Sequence, residues 1–347
     1  MPSISLGTHV PLRSLRFGLL LLAMVLPLLL GLAPRSAFAQ VARVGAWTTG
    51  LTHTVGSGNN RVLIFMVGLE ADANHLVNAV TYGGQSLTRI AGVAATSTNA
   101  FRGRTELWYL DEAGIGAATG NTFSVTFSAT PIDAHYSAAT YSNINQSSPI
   151  FDSITAATGT GSPNPITASV NVVDGGMAVS SAFSGNTGTF AWGNGWTEGT
   201  DQNQTSSCSS SADHPAAANG TDTASATHSG PNRLAIVAIS LDPCVDTDSD
   251  GLCDADDPDD DNDTWSDADE AACGTNPLDN LSVPTDTDSD GLCDSIDPDD
   301  DGDTWSDVDE AACGTNPLDN LSVPTDTDLD GLCNTLDPDD DGDTWSD

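Results

Sequence analysis

The sequence predicts an all-β chain: an antiparallel β-sandwich of jelly-roll type over residues 40–242, then a tail with little regular secondary structure. Three observations predict it. Residues 42–242 run in short alternating or apolar stretches broken by Gly, Asn, Ser and Pro, with almost no helical periodicity. From residue 246 the chain repeats itself: 246–285 overlays 286–325 with near identity, and 326–347 begins a third copy. Charge is divided as sharply, since 36 of the 49 Asp and Glu follow Pro243, where no Lys or Arg occurs, so the net charge of -40 splits into about -4 and -36.

The first element is a leader. Arg13 and Arg16 precede an uncharged run over 17–33, and the small-residue site Ala37-Phe38-Ala39 follows, the order of a secretory signal cleaved after Ala39. An uncleaved anchor is the alternative; Pro27 within the run and the Ala-Phe-Ala site argue against it, so no membrane span is expected in the mature chain.

The sandwich rests on nine strands, over 61–69, 76–82, 86–93, 105–110, 122–128, 136–141, 166–173, 177–183 and 233–241. Its pattern and turn chemistry are loosely similar to lectin-like and concanavalin A-like secreted modules. The Ser-, Thr-, Ala- and Asn-rich stretch 201–230, with Cys208, reads as a long loop before the last strand.

Little in this region points to catalysis. Glu106, Asp111 and Glu112 could supply the paired carboxylates of a glycosidase, but a solvated face beside the core aromatic Trp108 is the preferred reading. His53, His75, His135, His214 and His228 lack metal spacing and read as exposed polar positions. Trp192 and Trp196, around Gly193-Asn194-Gly195, could stack on a sugar; a core role is preferred. No Gly-x-Ser-x-Gly elbow, phosphate loop or dinucleotide fingerprint occurs, and the charge excludes nucleic acid as a partner.

Chemistry concentrates in the tail. Each copy opens with Asp-x-Asp-x-Asp-Gly: Asp246, Asp248, Asp250 and Gly251; Asp286, Asp288, Asp290 and Gly291; Asp326, Asp328, Asp330 and Gly331. Numbered as a 12-residue calcium loop, positions 1, 3 and 5 are carboxylates and position 6 is the turn glycine. Position 7 offers the carbonyl of Leu252, Leu292 or Leu332, position 9 is Asp254, Asp294 or Asn334, and position 12 is Asp257, Asp297 or Asp337. A second loop follows in each copy. It holds Asp259, Asp261, Asp263, Trp265, Asp267 and Glu270; then Asp299, Asp301, Asp303, Trp305, Asp307 and Glu310; then Asp339, Asp341, Asp343, Trp345 and Asp347. Ca²⁺ takes six to eight oxygens, and alternate residues of a tight loop aim side chains at one centre. Position 6 of the second loops is Thr264, Thr304 or Thr344, so weaker binding is expected there. Shifting the register by two puts Gly302 at position 6 but Trp305 and Val308 at positions 9 and 12, where neither side chain offers oxygen.

At these residues the tail resembles the thrombospondin type 3 repeats, tandem acidic calcium loops with interspersed disulfides, over about 100 residues. The spacer Ala271-Ala272-Cys273-Gly274-Thr275-Asn276-Pro277-Leu278 is more like bacterial surface versions. The resemblance implies a chain wrapped around calcium ions, disulfides between neighbouring repeats, and a role in adhesion or as a spacer. Dockerins also duplicate such loops, but Gly274 and Pro277 limit any helix here to about two turns.

In an exported chain the seven cysteines are disulfide candidates. Cys253, Cys273, Cys293, Cys313 and Cys333 fall 20 residues apart, and the series reads as cut mid-repeat. Two pairings suit the spacing. The preferred one joins Cys253 to Cys273, Cys293 to Cys313 and Cys208 to Cys244, leaving Cys333; the other joins Cys244 to Cys253, Cys273 to Cys293 and Cys313 to Cys333, leaving Cys208. The sequence as a whole reads as a secreted or cell-surface calcium-binding protein whose sandwich takes a glycan or other surface ligand. A carbohydrate-active enzyme with a calcium spacer and a structural matrix protein are the alternatives.

Overall fold

A computed structural model describes residues 37–96 and 101–346; residues 1–36 of the leader expected over 1–39, and the position-9 residue Asp347, lie outside these. The all-β expectation holds, and all nine predicted strands are present to within three residues at their ends.

The strands fall into two successive sets. After β1 (Ala37–Phe38), the first set is β2 (Ala42–Thr49), β3 (Val62–Ala71), β4 (Val77–Tyr82), β5 (Gln85–Ser86), β6 (Thr88–Thr96), β7 (Arg102–Leu110), β8 (Phe123–Phe127) and β9 (Asp133–Ser142), with helix α1 (Glu112–Ala117) before β8. The second is β10 (Ile150–Ala157), β11 (Ile166–Val172), β12 (Met177–Ser184), β13 (Phe190–Trp192), β14 (Thr197–Asn203), β15 (Cys208–Pro215), β16 (Gly220–His228) and β17 (Ala235–Leu241). Each set builds one five-stranded and one three-stranded antiparallel sheet: β2-β9-β3-β7-β6 with β5-β4-β8, and β10-β17-β12-β15-β14 with β11-β16-β13. In both large sheets the set's first strand lies at one edge beside its last, so the second set repeats the topology of the first. The Thr52–Thr122 bridge takes the place beside β8 that β11 takes beside β16.

The four sheets form layers, with the large sheets inside. Alternation along β3 shows why that strand reads as a continuous apolar run: Val62, Ile64 and Met66 join Val237, Ile239 and Leu241 of the other large sheet, while Leu63, Phe65, Val67 and Leu69 face β4 and β8. On the far side Ile236 and Ala238 of β17 pack with Ile166, Val170 and Ala224 of the outer sheet.

The stretch 201–230 is not a loop but holds the end of β14, all of β15 and all of β16. Strand β15 is buried from Cys208 to Asp213 although three of those residues are Ser. Small hydroxyls can be buried where they bond to one another: Ser211 pairs with Thr200 at 2.8 Å, and Trp192 Nε1 donates to Ser210 at 2.9 Å. The histidines differ from expectation in the same way, since His53, His135 and His228 are buried. His135 Nε2 lies 2.8 Å from the hydroxyl of Ser207, which donates to Asp133, so Nε2 carries the hydrogen; burial lowers its pKa to about 4.

The candidate glycosidase carboxylates are structural. Glu106 is buried, not solvated, and accepts from Arg89, Arg104 and the Trp108 indole. Asp111 caps α1 through the Gly114 N–H, and Glu112 pairs with Arg61, which holds its carboxyl below the ordinary range. Trp196 is buried, with the Trp192 and His214 rings each stacked against it at 6.0 Å, the core role expected of it.

The disulfides follow the pairing not preferred: Cys244–Cys253, Cys273–Cys293 and Cys313–Cys333, with Cα separations of 5.8, 6.1 and 6.1 Å. Cys208 cannot reach Cys244 because it points into the core beneath the outer sheet, among Phe190, Ala224 and Leu234, where burial pushes its thiol pKa well up. Each bridge joins a buried cysteine at position 8 of a first loop to the segment before it: the sandwich exit for Cys253, a helix end for Cys293 and Cys333. At that exit β18 (Val245–Asp246) pairs with β1, and Ala39 packs on Cys244 and Cys253. The expected cleavage site is thus part of the paired structure.

Candidate metal centres

Each tail loop is shaped by its own aspartates. In the first loop the Gly251 N–H donates to Asp246, the Asp250 N–H to Asp248 and the Leu252 N–H to Asp250. Loops at Asp286 and Asp326 repeat the pattern, with Leu292 and Leu332 at position 7. The second loops form the same three bonds: Thr264 to Asp259, Asp263 to Asp261 and Trp265 to Asp263, and likewise Thr304, Asp303 and Trp305. The third copy bonds Thr344 to Asp339, Asp343 to Asp341 and Trp345 to Asp343. Threonine therefore fills the turn position, at φ of 89, 87 and 79°, where glycine sits in the first loops.

This folding brings the predicted carboxylates together. One oxygen from each of Asp246, Asp248 and Asp250 lies within 4.8 Å of the others; the same holds for Asp259, Asp261 and Asp263, for Asp286, Asp288 and Asp290, for Asp299, Asp301 and Asp303, and for Asp326, Asp328 and Asp330. Position 12 lies within electrostatic reach of the first loops' carboxylates. The charges of Asp250 and Asp248 act on Asp257, whose pKa rises first from burial, while Asp297 and Asp337 act on Asp288 and Asp328.

In the second loops a short helix delivers position 12: α2 (Asp267–Cys273) and α3 (Asp307–Cys313). Ser266 and Ser306 cap their N-termini, and Gly274 and Gly314 end them in the left-handed conformation. Each helix buries one side chain, Glu270 or Glu310, fully enclosed, while Val308 of the same helix is 78% exposed. Neither oxygen of either glutamate has a hydrogen-bond partner. Burial first, then the charges of Asp261 and Asp263, raise the Glu270 pKa above its ordinary range, and burial does the same to Glu310. Enclosing an unpaired carboxylate costs on the order of several kcal/mol, and apolar residues are ordinarily the ones buried. The donor set fits a hard cation, for which Glu270 and Glu310 would supply two oxygens each.

The position-9 side chains also brace their loops. Asp254 accepts the Thr247 N–H at 2.8 Å and its hydroxyl at 3.0 Å, and Asp294 and Asn334 hold Thr287 and Thr327 alike. Asp267 and Asp307 accept the N–H of Asp260 and Asp300 at 2.9 Å. These side chains tie position 9 to position 2 and fix the loop's closure. Sequence reasoning passed over Asp260 and Asp300 altogether, yet both are buried; burial first, then Asp267 or Asp307, raises their pKa values to about 7 and about 6. Their only sequence signal is the unbroken Asp-Asp-Asp run at the start of each second loop.

Comparison with family models, curated proteins and solved structures gives no match for this chain. Among the described residues no helix is long and apolar enough to cross a membrane.

Proposed function

We propose that residues 246–347 form a calcium-binding repeat of the thrombospondin type 3 kind, and that it serves as the stalk of an extracellular or surface-attached adhesive protein. The observation that carries the calcium reading is the inverted burial of α2 and α3, which enclose Glu270 and Glu310 and leave Val308 in solvent. A cation supplies the charge that those enclosures lack. Calcium suits an all-oxygen site with a carboxylate able to bind through both oxygens, whereas magnesium holds its waters and demands octahedral geometry. Three disulfides and the leader-like start support export, and a surface glycan is the ligand class proposed for the sandwich.

Calorimetry of the full chain tests the centre of this reading. Calcium should bind in preference to magnesium, and Glu270→Gln with Glu310→Gln should weaken the affected sites at least about tenfold, a change of about 1.4 kcal/mol each. Unchanged calcium affinity in that double variant contradicts the assignment. A glycan-binding and turnover screen addresses the sandwich: binding without turnover supports display, and turnover supports an enzyme.

A further inference from the structure

The six loop centres leave one buried carboxylate per complete copy without a role. Asp260 and Asp300 stand at position 2 of the second loops, outside the alternate positions that aim at a centre. Each is only 9% exposed, and in each Oδ1 has no hydrogen-bond partner. Further negative charge surrounds them: Asp267, Asp254 and Asp257 act on Asp260, and Asp307, Asp294 and Asp297 on Asp300. Asp254 and Asp257 belong to the preceding first loop, as do Asp294 and Asp297, so these carboxylates lie at the seam between the two loops of a copy. The same seam thus presents, twice, a buried acid with one oxygen unpaired, which either a proton or a cation must neutralise.

We propose that each seam holds a further divalent cation of the calcium class, bound by the free oxygen of Asp260 with Asp254 and Asp257 in the first copy, and by Asp300 with Asp294 and Asp297 in the second. The proposal rests on the calcium reading of the tail and adds two ions to its six loop centres. The bonds from Thr247 to Asp254 orient that carboxylate and leave each of its oxygens a second lone pair for a metal. Asp257, which also closes the first loop, bridges the loop ion and the seam ion, and Asp297 does the same. The cation thereby joins two loops that are adjacent in sequence into one unit. In the third copy Asn334 stands where Asp254 and Asp294 do, so its seam carries one charge fewer and is not counted among the two.

The rival state of Asp260 and Asp300 is a protonated acid, which asparagine imitates in shape. Equilibrium dialysis of the full chain at saturating calcium, comparing wild type with the Asp260→Asn, Asp300→Asn double variant, separates the two. The double variant should bind two fewer ions per chain, while terbium luminescence sensitised by Trp265 and Trp305 reports that the second loops still fill. Equal ion counts in the two proteins overturn the seam sites and leave the six-loop reading standing. Wild type that binds no calcium overturns both. Should the double variant fold poorly by circular dichroism in calcium, Asp300→Asn alone carries the test, through the loss of one ion or of none.

Discussion

At Thr264 and Thr304 a β-branched residue occupies a left-handed backbone conformation that costs a non-glycine residue about 1–2 kcal/mol, and the N–H it presents to Asp259 or Asp299 is the return. Replacing both with glycine should raise the calcium-bound midpoint of tail unfolding, by about 1 kcal/mol per site, and tighten the second loops. A midpoint that stays or falls contradicts the strain assigned to them. The sequence marks positions 1, 3, 5 and 12 because each metal ligand must be an oxygen donor at a fixed phase. It does not mark Asp260, whose importance comes from the neighbouring loop folding against it. His135 is equally hidden, being one polar letter in a strand. Its pKa falls from 6.5 in the unfolded chain to about 4 in the fold, so the unfolded chain binds the proton more readily between those values. Its contribution is therefore complete above about pH 6.5 and declines as the pH drops toward 4, by roughly 3 kcal/mol in all. Urea unfolding in calcium should show the stability gap between wild type and His135→Gln narrowing over that window; a constant gap excludes His135 as its source.

Among the elements, β15 shows where sequence reading stops. Polar composition marked 201–230 as loop, because alternation signals a strand only when one face is apolar. Here Ser211 bonds within the sheet to Thr200 and Ser210 accepts from Trp192 of the outer sheet, while on neighbouring β12 Ser181 pairs across the layer with Thr105, both fully buried. Removing one partner strands the other: Ser181→Ala should cost about 1–3 kcal/mol, and adding Thr105→Val should restore much of it, since no buried hydroxyl is then left unpaired. Additive losses in that double-mutant cycle contradict the pairing. The strands β3 and β17 were legible for the opposite reason, being almost wholly apolar on both faces. The repeated topology of the two strand sets was not legible, because hydrogen-bond order is preserved without preserved side chains. In the tail the repeat was visible letter by letter, yet its 20-residue cysteine spacing fitted two pairings. The choice fell to the short helices, which carry Cys273 and Cys313 to the start of the next copy.

Across the whole molecule two kinds of cohesion meet at Cys244. Before it, four layers of sheet bury three large apolar clusters; beyond it, 36 carboxylates with no basic residue share a segment that leaves apolar side chains such as Leu281 and Leu321 in solvent. The disulfides limit how far that segment can expand but supply no charge, so on the proposed calcium reading cations hold it compact. The measurement that tests this most directly is small-angle scattering of the full chain, disulfides intact, in calcium and after chelation. The account predicts a compact tail in millimolar calcium and a clear rise in the radius of gyration on chelation, reversed when calcium but not magnesium is restored. A radius of gyration that does not change on chelation would contradict it.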